Sequence, residues 1–177
     1  LSNLHRQILH LTTDVGVAKV ISAREKLKRM RGDVEIVVHH ERLSADNLAD
    51  LFRAYDFIVD ATDGVGTKFL INDGAILLNK PFSHAGVVRF QGQVLTVLPG
   101  QTTCLRCLFP IPPDPEDNIS CQEAGILGSL AGSIGCIQAA EAARYISGEG
   151  SRLGDRLLTC DALQARWRTI RLTRSSR

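Results

Sequence analysis

From Val17 onward, apolar residues fall at helical spacing through Val20, Ile21, Leu27 and Met30. Thr12, Thr13 and Asp14 stand ahead of them as N-cap candidates and Gly32 behind as a stop, which predicts a helix of about four turns. Val34, Ile36 and Val38 then alternate with Glu35 and His39 as a strand does, and Ser44 is placed to cap a short helix carrying Leu48, Leu51 and Phe52. The next apolar run, 57–59, breaks into Asp60-Ala61-Thr62-Asp63-Gly64 before a helical stretch containing Phe69, Leu70, Ile76 and Leu77. A buried parallel strand that ends in a polar loop produces that pattern.

After Lys80-Pro81 the period changes. Residues 82–88 and 90–98 read as two strands that pair antiparallel, with Gln91-Gly92-Gln93 between or within them. Pro110, Pro112, Pro113 and Pro115 exclude a helix or central strand over 110–121, which is expected to be a surface crossover loop. Residues 124–146 carry almost no charge before Glu141. Gly128, Gly132 and Gly135 there would permit close backbone approach, as in a buried helix. Two strands, 156–160 and 167–172, close the series. The fold class is therefore α/β and Rossmann-like: a largely parallel sheet with helices on both faces in the N-terminal half, then antiparallel strands and a buried helix.

Length and composition limit this picture more than they extend it. With 177 residues, 44% of them hydrophobic, the chain can bury one core, so 1–177 is expected to form a single domain. The formal charge of +2 comes from mixed signs. Lys26, Lys28, Arg29 and Arg31 on one helix, and Arg171, Arg174 and Arg177 near the end, read as solvated faces, so no nucleic-acid partner is implied. No stretch has the length and apolarity of a membrane span and no signal-peptide layout opens the chain, so the expected location is cytoplasmic, with no membrane partner. Five cysteines without a regular framework fit reduced thiols or metal ligands better than disulfides.

Several residues could carry chemistry. Cys104 and Cys107 form a Cys-x-x-Cys knuckle, half of a tetrahedral thiolate site, and no second such pair occurs in the sequence. A thiol–disulfide role for the pair is conceivable, although its Leu-Arg filler gives it no redox preference. The missing half, and a start at Leu1 that runs directly into a polar string, make both ends look cut. Asn3, Arg6 and Gln7 on one turn would converge donors on an anion, and Lys19 early in the next helix would add charge to the helix dipole; taken alone, surface solvation is the usual explanation of each. Asp63, just past a buried strand, could hold a hydrated Mg²⁺ on nucleotide phosphates, cap the next helix, or do both. Cys121, ahead of the apolar helix, could be a thiolate nucleophile or merely an exposed thiol. Cys136 and Cys160 read as core cysteines, and His84 as a satisfied core histidine.

Taken in order, Ser2-Asn3-Leu4-His5-Arg6-Gln7, Val15-Gly16-Val17-Ala18-Lys19, Asp60-Ala61-Thr62-Asp63, Gly92-Gln93-Val94, Cys104-Leu-Arg-Cys107-Leu-Phe-Pro and the segment from Cys121-Gln-Glu-Ala-Gly to Gln138-Ala139 share one arrangement. The chain resembles the ThiF/MoeB/HesA group, bacterial relatives of the ubiquitin-activating enzymes, from residue 2 to about residue 172. The resemblance implies an adenylyltransferase that uses ATP and Mg²⁺ to join AMP to the C-terminal glycine of a ubiquitin-like sulfur carrier, in thiamine or molybdopterin synthesis. It implies that Asn3, Arg6 and Gln7 contact the phosphates, Lys19 the α-phosphate region and Asp63 the magnesium. By the same resemblance Cys104 and Cys107 are two of four Zn²⁺ ligands, with the others beyond residue 177, and Cys121 aligns with the cysteine that bonds the carrier in thiamine-pathway members. Homodimers are usual in the group.

Two departures stand out. The group's glycine-rich phosphate loop and acidic ribose partner lie before the equivalent of Leu1, a stretch on the order of 60 residues. Gly64 stands where many relatives have asparagine, and Lys68 where they usually have arginine. A catalytically inactive scaffold that binds a ubiquitin-like partner is the competing expectation. A dinucleotide oxidoreductase is disfavoured because no strand is followed by Gly-x-Gly-x-x-Gly.

Overall fold

A computed structural model describes residues 3–113, 125–150 and 153–174. The chain divides into two compact units, Leu1–Arg42 and Leu43–Arg177. The first holds a 3-10 turn, Thr12–Asp14, and helix α1, Lys19–Met30. The expected helix thus starts later, because Gly16 adopts a φ of +94° and breaks the right-handed path between turn and helix. Its apolar stripe is also less covered than expected: Val17 and Met30 are exposed, and Ser22 is its one buried side chain. The strand expected around Val34, Ile36 and Val38 does not form; these residues are irregular, since no described strand offers them a ladder. The basic residues of α1 and the Arg31 that follows it are solvated or paired locally, Lys26 with Asp14 and Arg31 with Asp33 at 2.8 Å.

The second unit contains α2 (Leu48–Arg53), β1 (Ile58–Asp60), α3 (Val65–Leu77), β2 (Phe82–Val88), β3 (Gln91–Val97), the single turn α4 (Leu105–Leu108), α5 (Gly128–Ser147), β4 (Arg156–Asp161) and β5 (Arg166–Arg171). Its five strands lie in chain order in one open sheet. β1 and β2 are parallel, with Ile58 opposite Phe82 and Asp60 opposite His84, and the helix between them supplies the crossover such a pair requires. β2 to β5 form an antiparallel meander.

Strand alternation sends successive side chains to opposite faces. On one face Phe82, Leu95 and Val97 pack with Leu48 and Phe52 of α2, Phe69, Ile71 and Ala75 of α3, and Leu105 of α4. On the other, Ala85, Val94 and Cys160 pack against Leu130 and Ile134 of α5. Helices therefore cover both faces of an α/β sheet, as the sequence predicts. α5 buries one stripe, Leu130, Ile134, Gln138 and Glu141, and leaves Gly132, Gly135, Cys136, Ala139 and Ala143 exposed. The close approach expected at Gly132 and Gly135 is not there, since a Cβ on either would meet nothing within 4 Å; it is made by Gly92 on β3, where a Cβ would lie 2.9 Å from Ile134. Cys136, expected in the core, is on this exposed face, whereas Cys160 is buried.

Candidate functional site

In the first unit the Asn3 carbonyl accepts the backbone N–H groups of Arg6 and Gln7, both at 3.1 Å. Residues 3, 6 and 7 thus belong to one hydrogen-bonded turn. Lys19 is exposed and is the first residue of α1, where its charge and the helix N-terminus act together. Asp14 has a different role. Its carboxylate accepts the Leu11 N–H at 2.6 Å and pairs with Lys26, and these bonds lower its pKa to about 2.

In the second unit β1 delivers Asp60 into the interior and the loop after it carries Asp63 into solvent. A buried carboxylate needs full compensation, and Asp60, 1% exposed, has it. One of its oxygens accepts the Thr62 N–H at 3.0 Å and the Thr62 hydroxyl at 2.7 Å. The other accepts from Lys68 Nζ at 3.2 Å and lies 3.0 Å from His84 Nδ1. Burial alone would raise the Asp60 pKa. The His84 bond, the Lys68 charge and the two Thr62 bonds outweigh it and bring the value to about 2. His84 is 4% exposed; burial pushes its pKa down, against the attraction of Asp60. Lys68 also donates to the Ala85 carbonyl at 2.6 Å, and Gln138 of α5 donates to the carbonyls of Asp60 and Ser83, each at 3.0 Å.

Asp63 does not cap α3 with its side chain: the N-cap is Gly64, and no side chain caps that end. The Asp63 carboxylate is exposed and has no cation or donor among the described residues. One accessible carboxylate at the carboxyl end of a parallel strand suits Mg²⁺, which takes one or two protein carboxylates and keeps its waters. Gly64 itself has φ −82° and ψ 125°, open to any residue, so its difference from the group's asparagine does not distort the loop.

The Cys104-x-x-Cys107 knuckle is built around α4, with Cys104 as its N-cap. The Cys107 N–H donates to the Cys104 carbonyl at 3.0 Å, and the two sulfurs lie 3.9 Å apart. Two thiolates on a tetrahedral zinc, each at ~2.3 Å, would be separated by ~3.8 Å, so the pair fits half of such a site. No third His, Cys, Asp or Glu joins them among the described residues. Burial, the largest influence, pushes the Cys104 thiol up, the opposite of an activated nucleophile. Helix α3 holds the knuckle: Asn72 Oδ1 accepts the Leu105 N–H at 2.9 Å, and Arg106 grips Asp73 at 2.7 and 3.1 Å while lying over the Phe69 ring. Cys121 lies outside the described residues.

The ThiF family profile matches residues 1–177. The chain belongs to the ThiF family. Similar curated members include the adenylyltransferase and sulfurtransferase MOCS3 of Culex quinquefasciatus, 41% identical over 97% of this chain and 39% of its own length. Another is the sulfur carrier protein adenylyltransferase of Thermus thermophilus, 40% identical over 99% of this chain and 67% of its own. The chain thus spans about two fifths of the MOCS3 proteins it matches. Among solved structures, Escherichia coli MccB with AMPCPP and MccA superposes with a TM-score of 0.81 at 18% identity, over 99% of this chain and 54% of MccB, which establishes the shared fold.

Within this ThiF-family chain, sequence reasoning misses the partners of several residues. Spacing does not join Asp60, Thr62, Lys68, His84 and Gln138 into one cluster, nor does it reveal Asn72, Asp73 and Arg106 as the support of the knuckle. A usable signal exists for the first: an aspartate ending a buried strand needs donors or a cation, and Lys68 follows eight residues later, in the first turn of the next helix.

Proposed function

We propose that residues 1–177 are a segment of one ThiF-type domain that adenylates the C-terminal glycine of a ubiquitin-like sulfur carrier, using ATP and releasing pyrophosphate. The observation that carries this reading is the exposed Asp63 beyond β1, unpartnered among the described residues, in a chain whose relatives bear adenylyltransferase names. The attacking carboxylate is already ionised near neutral pH, so the reaction requires no general base. The protein's task is positioning and charge compensation at phosphorus. The Asn3–Arg6–Gln7 turn would hold phosphate oxygens, and Lys19 would place its ammonium near the α-phosphate. Asp63 would hold Mg²⁺, which, when bound, offsets phosphate charge. Cys104 and Cys107 would supply two of four ligands to a structural Zn²⁺, and Cys121 would bond the carrier where the pathway is of the thiamine type. The homodimer usual in the family belongs to the same reading, as does a cytoplasmic location; no helix among the described residues is long and apolar enough to cross a membrane.

ATP–pyrophosphate exchange by the intact protein in the presence of its carrier is the direct test. Asp63→Ala should lower exchange by at least about a hundredfold with the fold preserved. Exchange at the full rate in that variant would remove Asp63 from the mechanism. Carrier binding without any exchange by the unmodified protein would favour the inactive scaffold.

A further inference from the structure

Asp60 grips the polar loop at both ends. Its first oxygen holds Thr62, the residue before Asp63, through both backbone N–H and hydroxyl. Its second holds Lys68, in the first turns of α3, which is tied in turn to the Ala85 carbonyl on β2. Residues 63–67 form the span between those two grips. Asp60 itself is anchored from three elements: β1 through its backbone, His84 of β2 at 3.0 Å, and Gln138 of α5, which bridges its carbonyl to that of Ser83. The Lys68 side chain is 11% exposed, so its ammonium is committed to this cluster.

We propose that Asp60 is the positioning residue for Asp63: its carboxylate, through Thr62 and Lys68, fixes the loop that presents the Asp63 carboxylate, and Lys68 serves Asp60 and is not a phosphate contact. This inference rests on the adenylyltransferase reading of the Asp63 site. A buried anion is well suited to the task, because a charge-assisted bond on each flank restrains the loop more tightly than neutral contacts would. Groups that hold a metal ligand in place commonly matter ~10–100-fold in metal affinity or activity.

The test compares Asp60→Asn, Lys68→Met and Lys68→Arg in the intact protein. Hydrogen–deuterium exchange without metal or nucleotide comes first: in Asp60→Asn and Lys68→Met the amides of residues 62–67 should exchange ~10-fold faster while those of β2 and β3 keep their protection. In pyrophosphate exchange, the same two variants should need ~10-fold more Mg²⁺ for half-saturation, with the KM for ATP nearly unchanged. Lys68→Arg, which keeps the charge, should restore most of the Mg²⁺ response. Asp60→Asn combined with Asp63→Ala should be no worse than Asp63→Ala alone, since both act through one group.

Loss of protection in β2 and β3 to the same degree as the loop would reduce Asp60 to a general stabilising role and overturn the proposal. A wild-type Mg²⁺ response in both Asp60→Asn and Lys68→Met, with Asp63→Ala inactive, would also overturn it while leaving the adenylyltransferase reading intact. A raised ATP KM in Lys68→Met with an unchanged Mg²⁺ response would instead make Lys68 a phosphate contact. Full activity of Asp63→Ala would be the separate failure of the underlying reading.

Discussion

Asp60 is where burial, charge and acid stability meet in one residue. Burial raises its carboxyl pKa, but the bond from His84, the charge of Lys68 and the bonds from Thr62 exceed that cost, and the value falls to about 2 in the folded chain. In the unfolded chain it returns to the ordinary aspartate value of ~3.9. A depressed folded value means that the unfolded state binds the proton more readily. Asp60 thus stabilises the fold fully above about pH 4, and the contribution is lost as pH falls toward 2. The difference corresponds to about 2 kcal/mol. Urea unfolding of wild type and Asp60→Asn at several pH values from 6 to 2 should show wild type more stable at pH 6, with the gap narrowing below pH 4. Asp14 titrates in the same window in both proteins and cancels, whereas His84 loses the raising influence of Asp60 in the variant, so the comparison is made with His84→Gln in both proteins. A gap independent of pH would mean that Asp60 acts by packing alone. At this scale the sequence is legible for residue types and much less so for partners. Asp63, Cys104 and Cys107 stand out by spacing, whereas the Asp60–His84 pair depends on the register of β1 against β2, which chain order alone does not specify.

Helix α3 links the two candidate sites of the second unit. Its first turns hold Lys68 on Asp60, and its last turns hold Asn72 and Asp73 on the cysteine knuckle. Between it and α2 there is no slack: a Cβ on Gly74 would overlap both Leu48 methyl groups. Two effects oppose one another in Gly74→Ala. Helix propensity favours alanine by ~1 kcal/mol, and overpacking a filled core costs ~1–3 kcal/mol. Leu48, 5% exposed, has little room to retreat, so the clash should win and the variant should lose ~1 kcal/mol in a urea titration. At Gly66 on the same helix an added methyl group would meet nothing within 4 Å, and Gly66→Ala should be neutral or stabilising by up to ~1 kcal/mol. Equal destabilisation by both would show that helix geometry, not the Leu48 contact, sets the cost. α3, β2, β3 and β4 are legible because each packs side chains within the described unit, whereas β5, exposed along its whole length, is held by its ladder with β4. The 34–38 segment alternates just as well and forms no strand, since alternation describes a face and a ladder needs a neighbour.

Across the second unit, the knuckle and the end of the sheet are joined by one residue. Asp155, just before β4, accepts the Thr103 N–H and hydroxyl on its carboxylate at 2.6 and 2.8 Å, and its carbonyl accepts the Leu172 N–H at 2.8 Å. Thr103 precedes Cys104 and Leu172 follows β5, so the chain leaving the last strand runs beside the knuckle. Leu172 and Cys104 also pack against the same core cluster. Leu172 is thereby held near the knuckle, from which a thiol pair beyond residue 177 would complete a site with Cys104 and Cys107, whose 3.9 Å separation matches adjacent ligands of a tetrahedral zinc. Closing that site would tie the free end of the sheet to α4 and α3, and the metal's binding energy would add to folding stability. Elemental analysis of the intact protein should find one zinc per chain. Cys104→Ser and Cys107→Ser should each lose it and lower the melting temperature, as should a strong chelator acting on the unmodified protein. Zinc retained in both serine variants would place the metal elsewhere. Its absence from the purified, reduced protein would leave the knuckle as a turn held by Asn72 and Arg106 alone.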